Sequence, residues 1–240
     1  MSNIIYSSLI MTLLGILSSV VGSMLPVFIK IESKTKIDFL YQFVSGIMVG
    51  IVCISMIPES IQISGIFITI LGIILGTIFI LFIDIVILKL NGNVNNKINK
   101  LILIVFSMAF HNIIEGIAVG ASIEYSFSFG VTIFLAMFLH DIPEGMIVGI
   151  ANLDNNKKKI DLLKNAIIVG IFSGIGIFIG AFFGKISDIY TSISLSVSSG
   201  AMLYIVTKTI IPNDEMEEKT HFISLSFILG ILVSAMITKL

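Results

Sequence analysis

The sequence predicts an all-α, polytopic membrane protein, and three observations lead there. Charged residues make up 12% of the 240-residue chain and hydrophobic residues 56%, whereas about a quarter of the residues of a soluble domain are charged. The mean hydropathy is +1.10. Apolar windows of about 20 residues, the length that crosses a hydrocarbon core of roughly 30 Å, recur along nearly the whole chain.

Eight windows can be read, at 4–29, 40–58, 65–88, 101–121, 127–150, 164–184, 190–211 and 221–238, and they make one transmembrane domain over 1–240. The first has no basic flank before it, no small-residue cleavage site, and exceeds the length of a signal-peptide core, so it reads as an uncleaved helix. The second, SGIMVGIVCISMIPES at 45–60, starts on small residues and stops at an Ile-Pro pair. The third ends in Asp84 and Lys89, an acid and a base near one interface. The fourth and fifth are joined only by SIEYSFSFG, which makes them antiparallel neighbours. The sixth is rich in glycine, SGIGIFIGAFFG at 173–184. The seventh repeats the pattern of the second in SSGAMLYIVTKTIIPND at 198–214, and the eighth closes the chain. The second and seventh run in opposite directions by the span count, which suggests an inverted repeat.

The lysines test the span count. All 14 basic residues are lysines, and twelve of them fall in the loops after the first, third, fifth and seventh spans, with only Lys185 and Lys239 on the other side. By the positive-inside rule those loops are cytoplasmic and both termini face outside, in a multi-pass protein of the cell membrane. The polar stretches 91–100, 152–161 and 212–221 are then linkers. Lys157, Lys158 and Lys159 form a solvated cluster that sets topology. A net charge of −1 offers no basic face for nucleic acid, and the single Cys53 excludes a disulfide framework or a thiolate metal cage. The lipid bilayer is the expected surrounding.

Two stretches break the apolar pattern. HNIIEGIAVG begins at residue 111 and HDIPEGMIVG at residue 140, placing two of the three histidines four residues before a glutamate. Residues four apart share a helix face, so His111 with Glu115 and His140 with Glu144 form two sides of one polar band. An isolated charge at such a depth costs about 2.5 kcal/mol or more, so these groups need partners. Two imidazoles and two carboxylates suit Zn²⁺, Fe²⁺, Mn²⁺ or Cd²⁺ and do not suit a Cu(I) thiolate site. Asn112 and Asp141, each next to a histidine, can add oxygen ligands, and a second ion between Asn112, Glu115, Asp141 and Glu144 is geometrically conceivable. Ligands of this kind bind metal only when deprotonated, so affinity should fall at low pH.

Pro143 removes an amide donor and leaves the Leu139 carbonyl without its usual partner, which predicts a local bend or water site near His140. Gly116, Gly120, Gly145 and Gly149 follow the glutamates at four-residue spacing and predict close helix approach. Other polar residues read more plainly. His221 is a solvated interface residue, Asp84 reaches the interface or pairs with Lys89, and Ser107 extends the polar stripe or bonds back to its own helix.

These motifs resemble the fourth and fifth helix signatures of the ZIP metal-ion transporters: AFHNIIEGIAVG at 109–120 and LHDIPEGMIVG at 139–149. The likeness extends to GIMVG and MIPE in the second span, LFID in the third, and GAMLYIV with IIP in the seventh. It implies a divalent-cation importer with a mid-membrane site, a homodimer, and transport by alternating access. The metal is then a transported substrate, with no catalytic cofactor. The first site maps to His111, Glu115, His140 and Glu144. The second maps to Asn112, Glu115, Asp141 and Glu144 together with a glutamate of the sixth helix. At that last place the sequence departs from the family, because Ile177 and Phe178 stand where Glu and Pro are usual. A mononuclear protein, or a weak second site, follows. Lys208 and Thr209 occupy the neighbourhood of the acid that often precedes the seventh-helix proline, and the histidine-rich loop of many relatives is missing.

Zinc heads the expected substrates, with iron, manganese and cadmium accepted by the same ligands. No ATP-binding motif is present, so the ion gradient, the membrane potential or sequestration inside the cell would drive uptake. Two rivals are a membrane-embedded metal-dependent hydrolase and a sensor that binds without transport. The first is disfavoured because HExxH is absent and both glutamates are occupied as ligands, leaving no separate base.

Overall fold

The computed structural model describes residues 2–29, 34–90, 97–154, 158–210 and 220–238. Side chains at some helical positions, among them Ser107, Pro143, Lys208, Thr209 and His221, lie outside the described residues, as do most of the three linkers and most of the basic loop residues. The readings placed on them therefore have no structural counterpart here.

Every element among the described residues is helical. The helices are α1 (Ser2–Ile29), α2 (Lys34–Ile51), α3 (Ile57–Ser64), α4 (Ile66–Leu90), α5 (Lys97–Tyr125), α6 (Phe127–Asp154), α7 (Lys159–Gly184), α8 (Asp188–Ile210) and α9 (Thr220–Ile237). A π-helical turn, Val52–Met56, joins α2 to α3, with right-handed helical backbone at Ile51 and Ile57 on either side of it. In this turn the Ile57 amide donates to the Val52 carbonyl, one residue further back than in an α-helix. The wider turn lies just ahead of Pro58, whose ring would press on the preceding carbonyls of a regular helix. The helix thus passes the Ile-Pro pair and continues to Ser64. Gly65 then turns the chain with φ of 83°, a left-handed conformation that costs other residues strain.

Among the described residues, six helical stretches are long and apolar enough to cross a membrane: Ile5–Phe28, Gln42–Ser64, Ile66–Val86, Phe127–Met146, Lys159–Gly184 and Asp188–Thr207. A shorter apolar stretch, Ser224–Ile237, lies in α9. The outward surface suits lipid. Along α4, Phe67, Leu71, Leu75, Ile78 and Phe82 are all exposed, a continuous apolar face that water would not tolerate.

The interior is assembled by helix pairs. α1 packs on α6 and α7, α5 on α6 and α7, α2 on α9, and α4 on α8. The predicted small-residue faces are where two of these pairs meet. A Cβ on Gly116 would strike the Ser173 carbonyl oxygen and stand 3.0 Å from Gly176 Cα, and one on Gly120 would strike the Ile177 carbonyl oxygen. Gly145 and Gly149 face α1 in the same way, against Ser19, Gly22 and Ser23. The two motif helices thus use their glycines to hold α7 and α1, leaving their polar faces toward each other. Beside these faces lies the main core, with Ile47, Met56, Val119, Met137, Ile177 and Leu195 at its centre.

Candidate metal centre

α5 and α6 form a hairpin with a single residue, Ser126, between them. The Ser126 amide donates to the Ser122 carbonyl at 2.8 Å, and the Gly130 amide donates to the Ser126 carbonyl at 2.8 Å, so the reversal is tight on both sides. The Ser126 hydroxyl accepts from the Phe129 amide at 3.4 Å, the position of an N-cap on α6. From that fixed corner His111 and Asp141 are equally far along their helices, which brings the two motifs to one level.

All six residues singled out from the sequence are buried, between 2% and 6% exposed. His111 Nε2 stands 3.0 Å from Glu115 Oε1 on its own helix and 3.5 Å from Glu144 Oε1 across the hairpin. His140 Nε2 stands 2.9 Å from Glu115 Oε2. Glu115 therefore sits between both imidazoles, with one oxygen near each. Asp141 Oδ1 lies 3.8 Å from His140 Nε2, and its other oxygen, Oδ2, accepts from Ser18 Oγ at 3.1 Å.

Many of the polar atoms in this cluster have no hydrogen-bond partner among the described residues. They are Nδ1 of both histidines, Asn112 Oδ1, Asp141 Oδ1 and Glu144 Oε2. His111 Nε2 and Glu115 Oε1 are close in space yet not aligned for a hydrogen bond. A buried polar atom left without a partner costs about 1–3 kcal/mol, so a cluster of them is expensive unless something else satisfies it. A cation does so, because it accepts lone pairs from several directions at once. Two groups have the necessary geometry: His111, His140 and Glu144, and Glu115, His140 and Asp141, each with one candidate ligand atom per residue within 4.8 Å of the others. A tetrahedral Zn²⁺ with bonds of about 2.0–2.2 Å spaces its ligand atoms about 3.4 Å apart. The two groups share His140.

Asn112 is buried next to His111 on α5. Asp84, half-buried on α4, belongs to neither group. Ile177 is completely buried and packs in the apolar core, its backbone against Gly116 and Gly120, while Phe178 points outward at 40% exposure. α7 therefore brings an aliphatic side chain to the place where the family likeness calls for a carboxylate. Ser18 is the site residue that the sequence reading missed. Its signal was faint, a serine in a span without acids, and only the crossing of α1 over α6 puts it against Asp141.

A family model described as ZIP zinc transporter matches residues 93–238, more than half of the chain. The protein zntD of Dictyostelium discoideum is 27% identical over 151 residues, which cover 60% of this chain and 22% of that protein. The match thus spans under a quarter of that relative's length.

Proposed function

The chain belongs to the ZIP zinc transporter family, and on that premise we propose that it carries divalent metal ions across the cell membrane into the cytoplasm. ZIP family members are transporters and not enzymes, which sets the hydrolase reading aside. Zinc is the first substrate, with iron, manganese and cadmium as competitors for the same ligands. His111, Glu115, His140 and Glu144 bind the ion, and Asn112 and Asp141 stand beside them as further oxygen donors. The observation that carries this reading is the convergence of buried imidazoles and carboxylates whose polar atoms lack other partners.

The arrangement suits an ion that must leave again. Glu115 lies between His111 and His140, so imidazole and carboxylate face one another in the interior. When an ion arrives, the same side chains exchange those contacts for bonds to it. Filling and emptying the centre therefore does not expose a lone buried charge at either stage, which a cycling site requires. Nitrogen and carboxylate ligands also release metal more readily than a closed thiolate cage.

In this proposal eight helical spans, with α2, the π turn and α3 acting as one, alternate access to the two sides of the membrane, and both termini face outside. An inverted repeat and a homodimer complete the architecture. The shared use of His140 by both candidate groups and the burial of Ile177 favour one tightly held ion at a time. Metal uptake into proteoliposomes tests the function. Binding without flux would sink transport, and flux that survives Glu115→Ala together with Glu144→Ala would sink the site.

A further inference from the structure

The π turn Val52–Met56 separates two segments that are fastened to different partners. On α2, a Cβ on Gly46 would strike the Phe227 carbonyl oxygen and one on Gly50 the Ser234 hydroxyl, so this segment lies flush on α9. On α3, Ser60 Oγ lies 3.0 Å from the Ser192 carbonyl oxygen and 3.0 Å from Thr69 Oγ1, which ties it to α8 and α4. Ser192 Oγ lies 3.0 Å from the Ser60 carbonyl oxygen in return. One span therefore has two anchors, and the irregular hydrogen bonding falls between them.

The turn also sets which side chains reach the metal centre. Residues five apart on a regular α-helix stand roughly 140° apart around the axis, so Ile51 and Met56 would face different ways. The bonding of a π turn, which links residues five apart, brings them nearly one above the other. Both are buried, and both line one small pocket together with Glu115 and His140. The surface of that pocket is apolar, which gives its walls room to shift without drawing in water. Met56, unbranched and with three rotatable bonds, is suited to such a shift. Cys53 and Ile54 are exposed, so no core side chain has to yield when they move.

We propose that the Val52–Met56 turn is a joint driven by the metal centre. The inference rests on the reading that Glu115 and His140 bind the transported ion. Glu115 Oε2 and His140 Nε2 face each other at 2.9 Å. Two ligand atoms of one tetrahedral Zn²⁺ stand about 3.4 Å apart, so the pair parts to take the ion, and the wall formed by Ile51 and Met56 moves with it. α2 and α3 do not follow as one rigid rod, because each is held by its own partner. The turn absorbs the difference, as hinge residues at the end of an element do.

Cys53 is the single cysteine of the chain and lies exposed within the turn. A trifluoroethyl group attached to it by a disulfide, in the full-length wild type, therefore reports on the joint by its fluorine-19 resonance. Zn²⁺ is the probe, and its binding is measured by titration of the same tagged sample. The Cys53 signal is expected to shift, or to give way to a second signal, over the Zn²⁺ range in which binding saturates. A reference chain, Cys53→Ser with Ile78→Cys, carries the tag on the exposed face of α4, and its signal is expected to stay in place. Zn²⁺ binding with an unmoved Cys53 signal overturns the inference and leaves the metal reading intact. Equal shifts at the two tags also overturn it, because the change is then general. If no Zn²⁺ binds, the metal reading falls and the inference with it. If the joint responds but proteoliposomes take up no Zn²⁺, the joint stands and the transport reading fails. Should the reference chain not fold, amide hydrogen exchange of the untagged wild type decides: Zn²⁺ must change protection at 52–57 and leave α4 as it was, or the inference falls.

Discussion

His140 Nε2 lies 2.9 Å from Glu115 Oε2, so a side chain of α6 and a side chain of α5 close on each other across the hairpin. Glu115 also reaches His111 at 3.0 Å with its other oxygen. One carboxylate thus ties both histidines together, and its charge should matter more than its shape. Glu115→Gln keeps the shape and removes the charge. Zn²⁺ affinity, measured by titration of purified protein, should fall by about a hundredfold, with the helical content unchanged by circular dichroism. An affinity within about threefold of the wild type would mean that Glu115 is not a ligand.

Ser18 donates to Asp141 from α1, and it also lies 2.8 Å from the Gly15 carbonyl oxygen. A hydroxyl has one proton, so the two acceptors compete for it. Ser18→Ala should lower metal-free stability by about 1–3 kcal/mol, the cost of leaving a buried acceptor without its donor. Saturating Zn²⁺ should recover part of that loss if Asp141 turns to the ion. A double-mutant cycle with Asp141→Asn, read by thermal unfolding, gives the coupling directly. Strictly additive losses would separate Ser18 from Asp141.

Ile177 is buried in the apolar core at the place where a sixth-helix carboxylate is usual in the family likeness. Ile177→Glu should therefore destabilise the metal-free protein by several kcal/mol, because an unpaired carboxylate is costly in such a position. Added Zn²⁺ should reverse much of that cost and raise the tightly bound metal from one ion per chain to two. Stoichiometry by elemental analysis after gel filtration reads the result. Two tightly bound ions already present in the wild type would overturn the mononuclear reading.

The crossing of α5 on α7 leaves no room for a side chain at Gly116, where a Cβ would meet the Ser173 carbonyl and Gly176. Gly116→Leu should cost at least about 1–3 kcal/mol through overpacking. Because Gly116 directly follows Glu115, metal affinity should fall along with stability. Gly65→Ala offers a contrast: nothing lies within 4 Å of the added carbon, and only its φ of 83° opposes the change. That variant should lose about 1–3 kcal/mol from backbone strain and keep its metal affinity. Equal metal affinities in the two variants would disconnect the crossing from the site.

The chemistry of the site was legible before any fold was known. Histidine and glutamate four residues apart share a helix face whatever surrounds them, and charged groups in an apolar run demand partners. The short SIEYSFSFG connection then required the two motifs to be neighbours, and Ser126 alone separates the helices. The glycines after each glutamate were legible as close-contact faces. Which helix each would meet was not, because spacing specifies a face and not its partner.

What the sequence determined by itself was local: helical periodicity, apolar spans, and six buried polar residues in two matching motifs. Those features depend on interactions within a few residues, so a one-dimensional pattern carries them. The tertiary structure decided what depends on distant segments meeting. It brought Ser18 from α1 to Asp141 and seated Ile177 of α7 against the glycines of α5. Such contacts arise from helix crossings set by the packing of the whole bundle, and no spacing along the chain encodes them.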